Sequence, residues 1–334
     1  MSRTNATRSR RGAFTLVELI VVMTIIAILA GLLLAGVQKV RQRAKEMQAR
    51  HDIQNLATAV HAFKSRYEVS YLPSRIRLRN NLAAYQAPID QLDVDSIAFL
   101  KRMWPRLSGN QQGLVNWFPA DPSNPGAQGV YYLEGDQCLV FFLGGLQLPD
   151  AFGNVACTGF RTNRGDPTDL NSPAEAVLFD FPTSRLGLAA PGNGGPNSRP
   201  ALVGLSFFDP YAAMPPSVAN DPTCRPYLYF TSYNGNDYSA PGVKYGSSDC
   251  LAIQQVPAGN NLFQTNINPV TPYTTSLNPL QFLNGNGFQI VCAGRERAFG
   301  TGGLWNTSSG YGSAQPGSLN ISNFSQRQLS EPTQ

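Results

Sequence analysis

Residues 14–66 read FTLVELIVVMTIIAILAGLLLAGVQKVRQRAKEMQARHDIQNLATAVHAFKSR, and this stretch decides the fold. Its first part, Phe14–Val37, is 24 residues long and carries one charge, Glu18. From Leu19 to Val37 the apolar run is unbroken for 19 residues. At ~1.5 Å rise per residue such a helix spans about 28 Å, the hydrocarbon thickness of a bilayer. It exceeds the roughly 7–15 apolar residues of a signal-peptide core. No proline occurs between Met1 and Pro73, and a helical pattern continues beyond the apolar run. Val37, Val40, Ala44 and Met47, then Ala49, Ile53, Leu56, Val60, Phe63 and Tyr67, step by threes and fours, with a small offset after Met47. The spacing predicts one helix from Phe14 to about Arg66, roughly 80 Å long. Its first half suits lipid, and its second half suits packing of one face on a globular body.

The rest of the chain is bounded by its composition. With 334 residues it is long enough to bury a core, and a single candidate span excludes a multi-span transporter. Only 14% of residues are charged, which argues against a charge-rich disordered chain. The 31 Gly and 25 Pro without a triplet period exclude collagen and predict a loop-rich domain. The net charge of +5 is unevenly placed. Arg3, Arg8, Arg10 and Arg11 give the leader +4, Lys39–Arg66 carries +5, and everything from Tyr67 onward sums to −3. The basic excess flanks the apolar run, and no nucleic-acid partner is expected. Leader arginines favour a cytoplasmic N-terminus with the body exported, although Lys39, Arg41 and Arg43 on the far side oppose that vote.

Glu18 is the most informative single residue, because a carboxylate in an apolar helix costs a few kcal/mol unless it is paired or reaches the interface. Gly12-Ala13-Phe14-Thr15-Leu16-Val17-Glu18, behind arginines and ahead of the apolar run, resembles the prepilin motif of type IV pilins and type II secretion pseudopilins. The resemblance implies cleavage of the Ala13–Phe14 bond by a prepilin peptidase and methylation of the new amine on Phe14. Ala13 stands where the family more often has Gly, with Gly12 one place earlier. It also implies that Glu18 occupies the family's acidic assembly position, where it can pair with a neighbouring subunit's Phe14 amine. Ser9-Arg10-Arg11 lacks the apolar spacing of a twin-arginine signal, and a plain signal anchor leaves Glu18 and the amphipathic continuation unexplained.

The implied organisation is a leader at 1–13, a transmembrane half-helix at 14–38, an amphipathic half-helix at 39–67 and a loop-rich α+β body at 68–334. A second helix is predicted around Asp90–Met103. Val130–Leu133 and Cys138–Leu143 flank Glu134–Gln137 and predict a strand, a turn and a strand. Further strands are expected at Ala176–Phe181, Ala201–Phe208, Tyr227–Tyr233 and Gly287–Cys292. Loops are expected at Gly187–Pro200 and Asn260–Pro279, with a tight turn at Asn234–Asp237. An antiparallel sheet packed on the long helix is the natural architecture, and it is the pilin fold that the resemblance implies.

Residues Phe288–Gly294 followed by Gly300-Thr301-Gly302-Gly303 resemble the C-terminal end of major pseudopilins. That family's calcium loop is acidic, whereas Phe299–Phe324 here has no Asp or Glu. Calcium favours carboxylate ligands, so neither calcium nor any other cofactor is expected. Five cysteines, Cys138, Cys157, Cys224, Cys250 and Cys292, all lie beyond the span. Cys138–Cys157 and Cys224–Cys250 are the simplest disulfides for an oxidising compartment, with buried thiols as the alternative.

Enzyme chemistry is not expected. His51 and His61 lie ten apart on the long helix, about 80° around its axis from one another, and make a poor metal pair. Asp93 and Asp95 form an isolated acidic pair. No nucleophile elbow, phosphate loop or zinc spacing occurs. Arg75, Arg77 and Arg79 alternate and read as a solvated edge, with lipid headgroups or DNA as the lesser alternative. The resemblance implies a filament subunit anchored by a single pass in a bacterial inner membrane, its body periplasmic, and periplasmic or surface-exposed after assembly. Its partners would be the prepilin peptidase, copies of itself, other pilin-like subunits and inner-membrane assembly machinery. A pseudopilus for type II secretion is the first reading. A minor type IV pilin or displayed adhesin is the alternative, with Trp117, Tyr211 and Trp305 as conceivable ligand-binding aromatics.

Overall fold

The computed structural model describes residues 16–119, 129–149, 155–188, 204–212, 225–233, 235, 238, 249–250, 270–300, 302–305, 317–325 and 328–329. Contacts divide the chain into two compact units, one ending at Lys45 and one beginning at Glu46. The predicted long helix is present as α1, Leu16–Arg66, 51 residues without a break. Its start in the sequence reading, Phe14, lies outside the described residues. It stops where Glu68 takes a left-handed φ of 50° and the Val69 N–H donates to the Lys64 carbonyl at 3.1 Å.

In the second unit α1 buries Ala49, Ile53, Leu56, Ala59, Val60, Phe63 and then Tyr67 just beyond its end. Each large apolar side chain removed from water in this way contributes roughly 1.5–3 kcal/mol. The earlier positions of the predicted stripe, Val37, Val40, Ala44 and Met47, are exposed. Burial thus begins after the offset in the pattern.

The body built on this face is α+β, as expected. Strand β1 (Ile76–Arg79) leads to α2 (Gln91–Met103), then to β2 (Val130–Leu133), which pairs antiparallel with β1. The predicted second helix therefore forms, capped by Asp90, whose carboxylate accepts the Asp93 N–H at 3.1 Å. The predicted strand–turn–strand does not form. Only β2 is a strand, and Gly135–Gly144 is a helix, α3, with every residue buried. A capping box between Glu134 and Gln137 starts it. An apolar run of this length has no periodicity that separates a buried strand from a helix enclosed on all sides.

Strands β3 (Gln147–Pro149) and β4 (Val155–Cys157) pair antiparallel, as do β5 (Leu186–Gly187) and β6 (Ser206–Phe207). The predicted strand at Ala176–Phe181 is irregular. The Leu178 and Phe179 N–H groups both reach back to the Leu143 carbonyl at the end of α3, at 2.9 and 3.3 Å, rather than to a neighbouring strand. Strand β7 (Leu228–Thr231), the hairpin β8 (Tyr273–Leu277) and β9 (Leu280–Phe282), β10 (Phe288–Cys292), β11 (Gly303–Leu304) and β12 (Ile321–Ser322) complete the described strands. Strand β8 falls inside the predicted loop Asn260–Pro279, because Tyr273 and Thr274 are buried and pair with β9 and β11. Of the predicted turn Asn234–Asp237, only Gly235 lies within the described residues.

The sheet β12–β10–β7 separates two cores. Side-chain alternation sends Tyr227, Tyr229, Phe288, Ile290 and Cys292 to the core shared with α1 and α3. Leu228, Phe230 and Val291 face a second core containing Tyr273, Phe282, Phe299 and Trp305. Helix α3 fits the first core so closely that both ends require glycine. A Cβ on Gly135 would lie 1.8 Å from the Tyr229 carbonyl oxygen, and one on Gly144 would lie 2.6 Å from the Cys157 sulfur.

Gly135→Ala therefore forces β7 and α3 apart. Overpacking against backbone costs about 3 kcal/mol. The expected outcome is a lower urea midpoint of the detergent-solubilised chain, followed by tryptophan fluorescence. An unchanged midpoint would remove the close-contact account.

Candidate functional site

The first unit carries the chemistry that the sequence singles out. Glu18 is exposed in the first turn of α1. Backbone N–H groups lack helical partners there, and the helix dipole favours an anion. Around and after it, the large apolar side chains between Leu16 and Leu33 are 45–73% exposed. Thr24 introduces no unsatisfied hydroxyl, because its Oγ1 donates to the Ile20 carbonyl at 2.8 Å. Among the described residues, α1 is the one helix long and apolar enough to cross a membrane. A helix exposing this much apolar surface is suited to lipid rather than water. Gly12, Ala13 and Phe14, the expected processing residues, lie outside the described residues.

In the second unit α1 is tied to the body by a charge on its buried stripe. Asp52 follows Ala49 by three residues and precedes Leu56 by four, so it turns inward with them. Arg185 donates from Nη2 to Asp52 Oδ2 at 2.8 Å, and the Tyr227 hydroxyl donates to the same oxygen at 2.8 Å. Arg185 also donates to the Phe208 carbonyl from Nε and Nη2, at 3.0 and 2.7 Å, and lies 4.3 Å over the Phe207 ring. Asp209 lies next to Phe208 in sequence, fully buried, and accepts the Tyr211 and Ala212 N–H groups at 2.9 and 3.0 Å and the Cys292 thiol at 3.3 Å. Burial pushes its carboxyl up to about 6, against the opposing effects of those three donors and of Arg185. Sequence reasoning missed this cluster. Asp52 on an apolar stripe was its one local signal, and Arg185 lies 133 residues away.

The remaining candidates resolve as structure rather than as sites. Arg77 and Arg79 are buried, not a solvated edge. Arg77 binds Asp90 through two hydrogen bonds at 2.8 and 2.7 Å, and Arg79 binds Asp93 at 3.0 and 2.8 Å. Asp93 also pairs with Arg77 at 2.9 Å. Burial opposes ionisation of Asp93, yet Arg79, the Ile89 N–H and Arg77 together hold its carboxyl down to about 2. It is a structural counter-ion. His51 is exposed beside Asn55, and His61 packs on the Phe288 ring at 5.4 Å, so they do not meet. Trp117, Tyr211 and Trp305 are core residues and present no binding surface.

Cys138 and Cys157 form no disulfide with each other, which corrects the first expected pair. Cys157 sits against Gly144, six residues along α3 from Cys138. At ~1.5 Å rise per residue the two are about 9 Å apart along the helix, beyond disulfide reach. Cys250 lies against Gly135, and its expected partner Cys224 lies outside the described residues. Among the described residues no group of three or more His, Cys, Asp or Glu can hold a metal. Residues 306–316, in the stretch where the major pseudopilins' calcium loop would fall, lie outside the described residues.

Residues 8–34 match the family model described as the prokaryotic N-terminal methylation motif. This is the prepilin signature of type IV pilins and pseudopilins, a structural rather than an enzymatic class. No curated protein and no solved structure matches the chain.

The buried carboxyl makes stability depend on pH. A folded-state value of about 6 lies above the ordinary 3.8, so the contribution is fully present below about pH 4 and is lost as pH rises through 6. From pH 5 to 7.5 the body should lose about 1.4 kcal/mol, one pH unit of titration. Asp52, Arg185, Tyr227 and Cys292 face the same cluster. Asp209→Asn should abolish that part of the pH dependence in urea titrations. An identical pH profile in the variant would contradict the assignment.

Proposed function

We propose that this chain is a subunit of a pseudopilus-type filament serving type II protein secretion. In this reading it is a single-pass inner-membrane protein with a periplasmic body, from which a prepilin peptidase removes Met1–Ala13 and then methylates Phe14. The observation that carries the reading is a coincidence on one helix. The methylation motif at 8–34 opens α1, and the same helix continues without a break to become the packed spine of an α+β body. A signal anchor needs no such continuation.

Within that reading, Glu18 and the new amine on Phe14 are each costly in an apolar layer. Glu18 of one subunit and the Phe14 amine of its neighbour neutralise each other when subunits pack side by side. The pair fixes axial register more than it adds net stability. Lateral packing of the exposed apolar surface of α1 supplies the rest. Copies of the same chain, other pilin-like subunits and inner-membrane assembly machinery are the partners this implies, and no cofactor enters the scheme.

Glu18→Val should leave the chain in the membrane fraction and reduce its incorporation into sheared or crosslinked filaments by about tenfold or more, since an orphaned buried charge costs several kcal/mol. Filament incorporation equal to wild type would sink the pairing. A deletion strain separates the secretion role from a type IV pilus. Periplasmic retention of normally secreted proteins supports the pseudopilus, whereas intact secretion with lost surface filaments or adhesion moves the chain to a minor pilin or displayed adhesin.

A further inference from the structure

Immediately beyond the apolar part of α1 the helix changes character within one residue step. Lys39, Arg41, Arg43 and Lys45 follow Val37, and no acid occurs between Glu18 and Glu46. All four basic residues are exposed. Lys39, Arg41 and Arg43 form no ion pair among the described residues, and Glu46 is engaged by Arg50 at 2.8 Å. At ~1.5 Å rise per residue the four side chains leave the helix about 3–12 Å beyond Val37. A headgroup layer is roughly 5–8 Å deep on each side of the hydrocarbon, and long basic side chains bend toward it. The basic segment therefore lies at headgroup depth whichever way the helix is inserted.

Its angular arrangement separates lipid from a protein partner. Lys39 and Arg43 are one turn apart on one side of α1, about 40° from each other. Arg41 and Lys45 repeat that relation on nearly the opposite side, about 200° away. A neighbouring helix docks on one side and would leave half of this charge unanswered. Anionic headgroups surround the helix and answer all of it. The pattern also opposes the orientation signal of the leader arginines, a cost that calls for a use at the far end of the span.

We infer that Lys39, Arg41, Arg43 and Lys45 form a basic collar that recruits phosphate-bearing anionic phospholipids around α1. This rests on α1 spanning a bilayer, as proposed above. The bond is electrostatic, phosphate oxygens accepting from ammonium and guanidinium donors, so it weakens as salt screens it. Before assembly the collar gives each subunit an anionic lipid shell.

The test uses the full chain in phosphatidylcholine nanodiscs containing phosphatidylglycerol, with spin-labelled lipids of each headgroup to measure the motionally restricted fraction. Labelled phosphatidylglycerol should associate about tenfold or more strongly than labelled phosphatidylcholine, given the usual contribution of each basic residue near an anionic surface. The preference should fall to near unity in the combined variant Lys39→Gln, Arg41→Gln, Arg43→Gln and Lys45→Gln, and persist in Lys64→Gln, which removes a cation from the far end of α1. Sodium phosphate should displace the labelled lipid no better than sodium chloride at equal ionic strength. No headgroup preference in the wild type, a preference surviving in the collar variant, or specific displacement by free phosphate would each overturn the inference. Failure of the wild type to enter nanodiscs would overturn the membrane-spanning reading instead.

Discussion

One helix that must suit two environments is the constraint on which the rest of this molecule depends. From Leu16 to Leu33, and again at Val37, Val40 and Met47, the large apolar side chains of α1 face outward, and from Ala49 the stripe of apolar residues is buried. A 51-residue helix with so little of its first half covered is not stabilised by its own fold. Lipid can satisfy that half, because a helix meets all its interior backbone hydrogen bonds internally. The other half is held by Ile53, Leu56, Val60 and Phe63, which α3 and the β12–β10–β7 sheet help enclose.

The body spends few charges, and it buries several of those it has. Arg77 and Arg79 against Asp90 and Asp93 fasten β1 to α2, and Arg185 against Asp52 fastens α1 near the start of its buried stripe. Buried ion pairs add little net stability over well-packed apolar groups, but leaving one partner unpaired is costly. Their consequence is specificity. A slip of α1 by one residue would carry Asp52 away from Arg185 and Tyr227 and strand three polar groups in the core. The wholly enclosed α3 works the same way by shape, with Gly135 and Gly144 admitting backbone and sulfur where any side chain would collide. Together these contacts leave α1 one register on the body.

Legibility in the sequence followed the range of the interactions. The long helix, α2, β2, β7 and β10 were readable because periodicity and short apolar or aromatic runs are local signals. Helix α3 was misread because CLVFFL has no polar face in either conformation, so only its surroundings decide. The arginines of β1 were read as an edge because their acids lie in the next element, and the one alternation that made them look exposed aligns them on Asp93. The Cys138–Cys157 disulfide failed because pairing by nearness in sequence ignores the helix that runs between Cys138 and the glycine against which Cys157 packs. At the candidate site, Glu18 was legible as an acid inside an apolar run, and it lies within the motif match at 8–34. The Asp52–Arg185 anchor was not, because one partner sits 133 residues from the other.

In the proposed filament reading a single covalent event joins these parts. Removal of Met1–Ala13 would take four arginines with it and convert a chain of net charge +5 into one of about +1, with a new amine placed four residues before Glu18. The most direct measurement is intact-mass and N-terminal peptide mass spectrometry of the protein recovered from membranes of the native host. The account predicts a mature chain beginning at N-methylated Phe14. A chain retaining Met1, or one cut after the apolar run, would contradict it.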